Sequence, residues 1–171
     1  MKICFVGGGN IAQAIIDGLL KSQFPPEAIV CIERNQEKID LLKLQKITVA
    51  SFECLSEDIF DLIVLAVKPK DALAVAQKIE DHAPHSNILT VVAGIGISTY
   101  PSSASIIRSM PNTASAYNKG ITALYAKDQQ TPAFKNACDL FERVGHIMVM
   151  ENEDDIHAFT SIIGSGQAFL F

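Results

Sequence analysis

The residues best suited to chemistry stand at the start of the chain. Lys2 through Val6 is a short, nearly all-apolar run that breaks at once into Gly7-Gly8-Gly9-Asn10-Ile11-Ala12. The helical pattern Ala14-Ile15-Ile16-Asp17-Gly18-Leu19-Leu20 follows directly. A strand, a glycine turn and a helix in this order put backbone N–H groups and the positive end of a helix dipole where a pyrophosphate can sit. The chemistry implied is dinucleotide binding. Val6, Gly7, Gly8, Gly9, Asn10, Ile11 and Ala12 form the candidate cradle. Gly7 makes the turn, Gly9 admits the pyrophosphate, Ala12 lets the helix lie close to the strand, and Asn10 offers an amide. The competing reading is a structural tight turn.

Three later strand ends add candidates. The second strand closes on Cys31-Ile32-Glu33-Arg34-Asn35, where residue type selects the adenosine ribose. Glu33 suits a 2′-hydroxyl, whereas Arg34 and Asn35 suit a 2′-phosphate through charge-assisted hydrogen bonds. The balance favours NADP(H) over NAD(H), with a solvated loop arginine as the alternative. Ala66-Val67-Lys68-Pro69 and Ala93-Gly94 end two further strands at the edge where open α/β sheets bind ligands. Lys68 reads equally as a ligand contact or as a surface lysine before a helix-starting proline. Ala93 and Gly94 are small enough to let a flat ring approach the backbone, or to end the strand in a plain turn. Arg108-Ser109-Met110-Pro111-Asn112-Thr113 closes a sixth strand, adding Asn112 to the candidates unless the segment is only a Pro-Asn turn.

The elements that must position these residues follow from periodicity. Strand-like runs at 2–6, 29–33, 47–50, 61–67, 87–93, 105–109, 121–126 and 146–150 alternate with helical segments filling the gaps, clearest at 10–22, 36–45, 70–82 and 132–144. The expected fold class is α/β, a doubly wound, mostly parallel sheet. The runs at 61–67, 88–93 and 105–108 are apolar almost throughout, so they belong at the sheet centre, buried on both faces. After residue 151 the pattern changes. Glu151-Asn152-Glu153-Asp154-Asp155 supplies first-turn acids for a new helix carrying Ile156, Phe159, Ile162 and Ile163. The expected division is a dinucleotide-binding domain over 1–151 and a new helical segment over 152–171.

Composition narrows the partners. A net charge of −5 offers no footprint for nucleic acid, and no apolar stretch approaches the roughly 20 residues needed to span a bilayer. With no leader pattern before the first strand, a cytoplasmic location is expected. Cys4, Cys31, Cys54 and Cys138 lack the paired spacing of a zinc or redox site and read as small buried hydrophobes. His82 and His85 flank Pro84, which breaks ligand geometry, so they read as a helix C-terminal cap and no metal site is expected. No cluster of His, Lys or carboxylates presents a general acid, so no catalytic residue is assigned.

Taken together, F-V-G-G-G-N-I-A at the start, A-V-K-P at 66–69, R-S-M-P-N-T at 108–113 and G-S-G-Q-A-F at 164–169 resemble the pyrroline-5-carboxylate reductase family over the whole chain. Gln167 and Phe169 depart from the family's G-S-G-P-A-Y, and Glu53 stands where Asn is usual. The resemblance implies a Rossmann-like domain followed by a helical dimerisation domain, of which only the first helix lies within this sequence. It implies hydride transfer from a reduced nicotinamide to the imine of 1-pyrroline-5-carboxylate, giving L-proline, in a homodimer or higher homo-oligomer. A protonated cyclic imine already accepts hydride well, which agrees with the lack of an acid/base cluster. A fragment of this extent is expected to bind nucleotide and reduce little substrate. The alternatives are another two-domain reductase or dehydrogenase, or a non-catalytic nucleotide-binding module.

Overall fold

All eight apolar runs form strands. The computed structural model describes residues 1–101 and 104–161. Its order is β1 (Ile3–Val6), α1 (Asn10–Lys21), β2 (Ile29–Ile32), α2 (Gln36–Leu44), β3 (Thr48–Ala50), α3 (Cys54–Glu57), β4 (Leu62–Leu65), α4 (Pro69–His82), β5 (Asn87–Thr90), β6 (Ser105–Met110), β7 (Gly120–Ala126), α5 (Pro132–Glu142), β8 (Gly145–Val149) and α6 (Asp155–Phe159). The strands form one sheet in the order β3-β2-β1-β4-β5-β6-β7-β8. The runs expected at its centre, β4, β5 and β6, lie there. The G-S-G-Q-A-F segment, together with Ile162 and Ile163, falls outside the described residues.

Alternation within β1 shows why the centre is apolar on both sides. Ile3 and Phe5 join a core built on Ile15, Ile16 and Leu19 of α1 and Phe134, Leu140 and Phe141 of α5. Cys4 and Val6 face the other way, into a core with Ala72, Ala76 and Ile79 of α4. Each such large apolar side chain removed from water contributes about 1.5–3 kcal/mol.

Two departures from the sequence pattern have local causes. The sheet is parallel except at β6–β7, which is antiparallel. Residues 111–119 join these strands, fewer than the dozen or more that a parallel crossover requires. Between β5 and β6 no α-helix fills the gap among the described residues, only a 3-10 turn at Ile97–Thr99. Gly94, Gly96 and Pro101 break helix propagation there.

The 111–119 link is held against α1. Asn118, left-handed at φ 55°, donates from Nδ2 to the carbonyls of Gly18 at 2.8 Å and Arg143 at 2.7 Å. A Cβ on Gly18 would lie 2.1 Å from the Ser115 carbonyl oxygen, so only glycine allows this approach. At the far end of α4 the His82 ring nitrogen sits 2.8 Å from the Lys78 carbonyl oxygen, one turn back along the same helix.

Candidate functional site

The carboxyl ends of β1, β2, β3 and β4 open onto one cavity of about 860 Å³. Val6, Gly7, Gly9, Glu33, Arg34, Ala66, Val67 and Lys68 line it, so candidates from three separate motifs meet there. Gly7 has φ +99°, and a Cβ on it would lie 2.6 Å from the Ala66 carbonyl oxygen. Its N–H donates to the Ile32 carbonyl at 2.9 Å. The turn is therefore fixed by both neighbouring strands. Gly9 differs: the nearest atom to a Cβ there is 3.9 Å away, so its hydrogen leaves open space for a ligand rather than for the protein. Gly9 also precedes α1, and no side chain caps that helix. Its first-turn N–H groups are thus free of side-chain acceptors, as an anion cradle requires.

Glu33 is more heavily used than its sequence position implies. Gly8 N–H donates to Oε2 at 2.7 Å, while the N–H groups of Arg34 and Asn35 donate to Oε1 at 2.7 and 2.9 Å. Burial alone would push this carboxyl up in pKa, but those three donors, with Lys38 Nζ at 3.9 Å, outweigh it and hold it below the ordinary value. Asn35 caps α2, accepting from Lys38 N–H at 3.1 Å. Arg34 is exposed and lines the cavity.

The other candidates fall around this centre. Asn10, Ile11 and Ala12 form the first turn of α1, and Pro69 opens α4. Ala93 and Gly94 follow β5, which pairs with β4 in register Leu65 to Thr90. Both are exposed at the same sheet edge without lining the cavity, and Gly94 has φ +80° with open space around it. The Asn112 side chain turns to its own loop, accepting from the Ile121 N–H at 3.1 Å. Beside it Ser109 Oγ donates to the Thr90 carbonyl at 2.9 Å, and the Thr90 and Tyr100 hydroxyls lie 2.9 Å apart. Burial raises the Tyr100 phenol pKa.

Sequence reasoning missed Lys38, Lys70 and Lys78, three cations that line the same cavity. Their signal was helical spacing: Lys38 stands in the first turn of α2, Lys70 and Lys78 on α4. Lys78 Nζ also lies 4.1 Å from the centre of the Phe52 ring. Glu53 lines the cavity too. Cys4, buried in β1, has its thiol pKa pushed up by the neighbouring Cys54 of α3 and by burial. Among the described residues there is no group of His, Cys, Asp and Glu able to hold a metal, and no helix long and apolar enough to cross a membrane.

A family model described as NADP oxidoreductase, coenzyme F420-dependent, matches residues 2–94. The chain belongs to this family. The match spans the glycine turn and every residue named above as lining the cavity. The pyrroline-5-carboxylate reductase of Pasteurella multocida is 33% identical over 180 residues, covering 99% of this chain and 66% of that relative. The structure of such a reductase from Coxiella burnetii superposes with a TM-score of 0.87 at 28% identity, covering 99% of this chain and 66% of the other. The Plasmodium falciparum pyrroline carboxylate reductase, whose structure has NADP bound, shares the fold at a TM-score of 0.82 and 22% identity, over 99% of this chain and 64% of that one. The resemblance carried by the four motifs is thus borne out, as is the Rossmann-like fold. The chain spans slightly less than two thirds of the length of these relatives.

Proposed function

We propose that this chain is the nucleotide-binding part of a reductase that converts 1-pyrroline-5-carboxylate to L-proline. The nucleotide part of the reading is carried by the open space at Gly9, beside the uncapped first turn of α1, and its substrate is supported by the similarity to pyrroline-5-carboxylate reductases over 99% of the chain. A nicotinamide dinucleotide fits these residues: the pyrophosphate against Gly9, Asn10 and Ile11, the ribose end toward Glu33, Arg34 and Asn35. Gly7, Gly8 and Ala12 shape the turn, Val6, Ala66, Val67 and Lys68 wall the cavity, and Pro69 starts α4 beside it. Ala93 and Gly94 stand where the reactive ring would approach the backbone, with Asn112 holding the loop beyond it. The reduced cofactor supplies the hydride. The protein's task is to hold the ring and exclude disorder, a matter of orientation rather than proton transfer.

NADP(H) is the favoured cofactor. The Glu33 carboxylate already accepts three backbone hydrogen bonds, so a 2′-hydroxyl would have to compete for it. The Arg34 side chain has no partner among the described residues and lines the cavity with Lys38, where a 2′-phosphate would meet both. The family model's own description names NADP. We further assign residues 1–151 to the nucleotide domain and 152–171 to the opening of a helical domain that forms the homo-oligomer and completes the substrate site.

The test is a calorimetric titration of NADPH and NADH into wild type and Arg34→Ala, with pyrroline-5-carboxylate-dependent NADPH oxidation measured alongside. NADPH should bind more tightly than NADH, and Arg34→Ala should weaken NADPH roughly tenfold while leaving NADH unchanged. Equal affinity of the variant and wild type for NADPH would remove the basis of the preference.

A further inference from the structure

Arg108 heads the fully buried side chains by volume, at 1% exposure. A guanidinium so placed must find a compensating charge, and here it comes from a distant segment. Arg108 Nη1 donates to Glu153 Oε1 at 3.0 Å. The same oxygen accepts from the Ile97 N–H at 2.7 Å and lies 3.4 Å from where a Cβ on Gly96 would stand. One carboxylate therefore joins β6, the turn after β5, and the segment that enters α6. Among the described residues Arg108 Nε and Nη2 have no hydrogen-bond partner, so Glu153 is the group that answers the buried charge.

Both ends of this link are anchored. The turn is tied to β5 through the Tyr100 and Thr90 hydroxyls. On the other side, Ile156 and Phe159 of α6 pack on Ala123 of β7, with Met110 of the R-S-M-P-N-T segment beside them. Past Val92, whose N–H is still bonded to the Thr90 hydroxyl, the backbone has less to hold it: Ala93 and Gly94 are exposed, and a Cβ on Gly94 would touch nothing within 4 Å.

We infer that Arg108 and Glu153 are positioning residues that lock the turn after β5 to the entry of α6, and so pre-organise the backbone that faces the nicotinamide ring. This rests on the cofactor reading above. The entropy of ordering residues 93–97 is spent during folding rather than on binding. The link also makes the nicotinamide end of the site and the α6 segment respond to each other. The adenine end, built on β1, α1 and β2, is independent of it.

That asymmetry gives the experiment. NADPH and 2′-phospho-ADP-ribose, which lacks the nicotinamide, are titrated by calorimetry into the 171-residue chain and its Glu153→Ala and Glu153→Gln variants. Amide hydrogen exchange is followed over residues 96–100. Glu153→Ala should weaken NADPH about fivefold or more, leave 2′-phospho-ADP-ribose unchanged, and speed exchange at Ile97. Glu153→Gln keeps an acceptor for the Ile97 N–H but loses the charge opposite Arg108, so it should fall between. Unchanged NADPH affinity, equal weakening of both ligands, or unaltered exchange would overturn the inference. If wild type binds neither ligand, the cofactor reading fails instead, and the exchange result alone decides whether the lock exists.

Discussion

Two glycines only two positions apart are predicted to fail in opposite ways. In Gly7→Ala, the new methyl would sit 2.6 Å from the Ala66 carbonyl oxygen and 3.1 Å from Val67 Cγ1, on a backbone with φ +99°. The dihedral strain costs about 1–3 kcal/mol. The methyl cannot turn away, because Gly7 N–H is bonded to Ile32 and Ala66 N–H to the Val6 carbonyl, each at 2.9 Å. Relief means stretching one of those bonds, worth about 0.5–1.5 kcal/mol more. The total is about 2–4 kcal/mol, against a typical domain stability of about 5–15 kcal/mol. The variant should fold with its Tm lowered by roughly 5–15 °C. Gly9→Ala meets nothing closer than 3.9 Å, so its stability should change by less than about 1 kcal/mol. Its methyl instead occupies the space assigned to the pyrophosphate and displaces it from one charge-assisted N–H contact. That loss, about 1.5–3 kcal/mol, corresponds to NADPH binding weakened roughly 10- to 100-fold. Differential scanning fluorimetry with and without NADPH reads both numbers from the same samples. A Gly9→Ala protein with wild-type NADPH affinity, or a Gly7→Ala protein with wild-type Tm, would refute the division of roles.

Glu33 and Asn118 yield two further expectations. The Glu33 carboxyl titrates below its ordinary 4.5 in the folded chain, so its stabilisation is present above that pH and is lost as pH falls through the lowered value. Urea midpoints of wild type should therefore drop more steeply below pH 4.5 than those of Glu33→Gln, whose amide cannot titrate; parallel curves would show that the three N–H donors do not favour the charged form. Asn118→Ala loses hydrogen bonds to two helix-end carbonyls and keeps a left-handed φ unsuited to alanine. It should lose about 1–3 kcal/mol by urea titration, with part of the loss recovered in Asn118→Gly, which relieves only the backbone strain.

Much of this molecule was determined locally. The strands occupy their apolar runs to within a few residues, and in β1, β2 and β4 the reason is that a segment buried on both faces must be apolar throughout. The glycine turn is likewise local, since a positive φ and a close carbonyl at Gly7 leave glycine as the one residue that fits. Convergence of Gly7, Glu33, Ala66 and Lys68 on one cavity was legible too, because parallel strands in a doubly wound sheet all point their carboxyl ends the same way.

What tertiary structure decided depends on which distant groups meet. Glu33 looked like a free acceptor for a ribose, yet Gly8 reaches it across the β1–β2 pair and changes what it can offer. At Asn112 the reversal at β7 brings the Ile121 N–H to the side-chain oxygen, a partner that spacing along the chain does not show. Lys38, Lys70 and Lys78 carried no motif, and only the packing of α2 and α4 around the strand ends turns their charge toward the cavity. Arg108 was visible as part of a motif, whereas its partner, 45 residues away, was not. Hydrophobic pattern and backbone sterics act over a few residues and can be read in order along the chain. The pairing of a buried charge is settled by three-dimensional proximity, which sequence spacing does not encode.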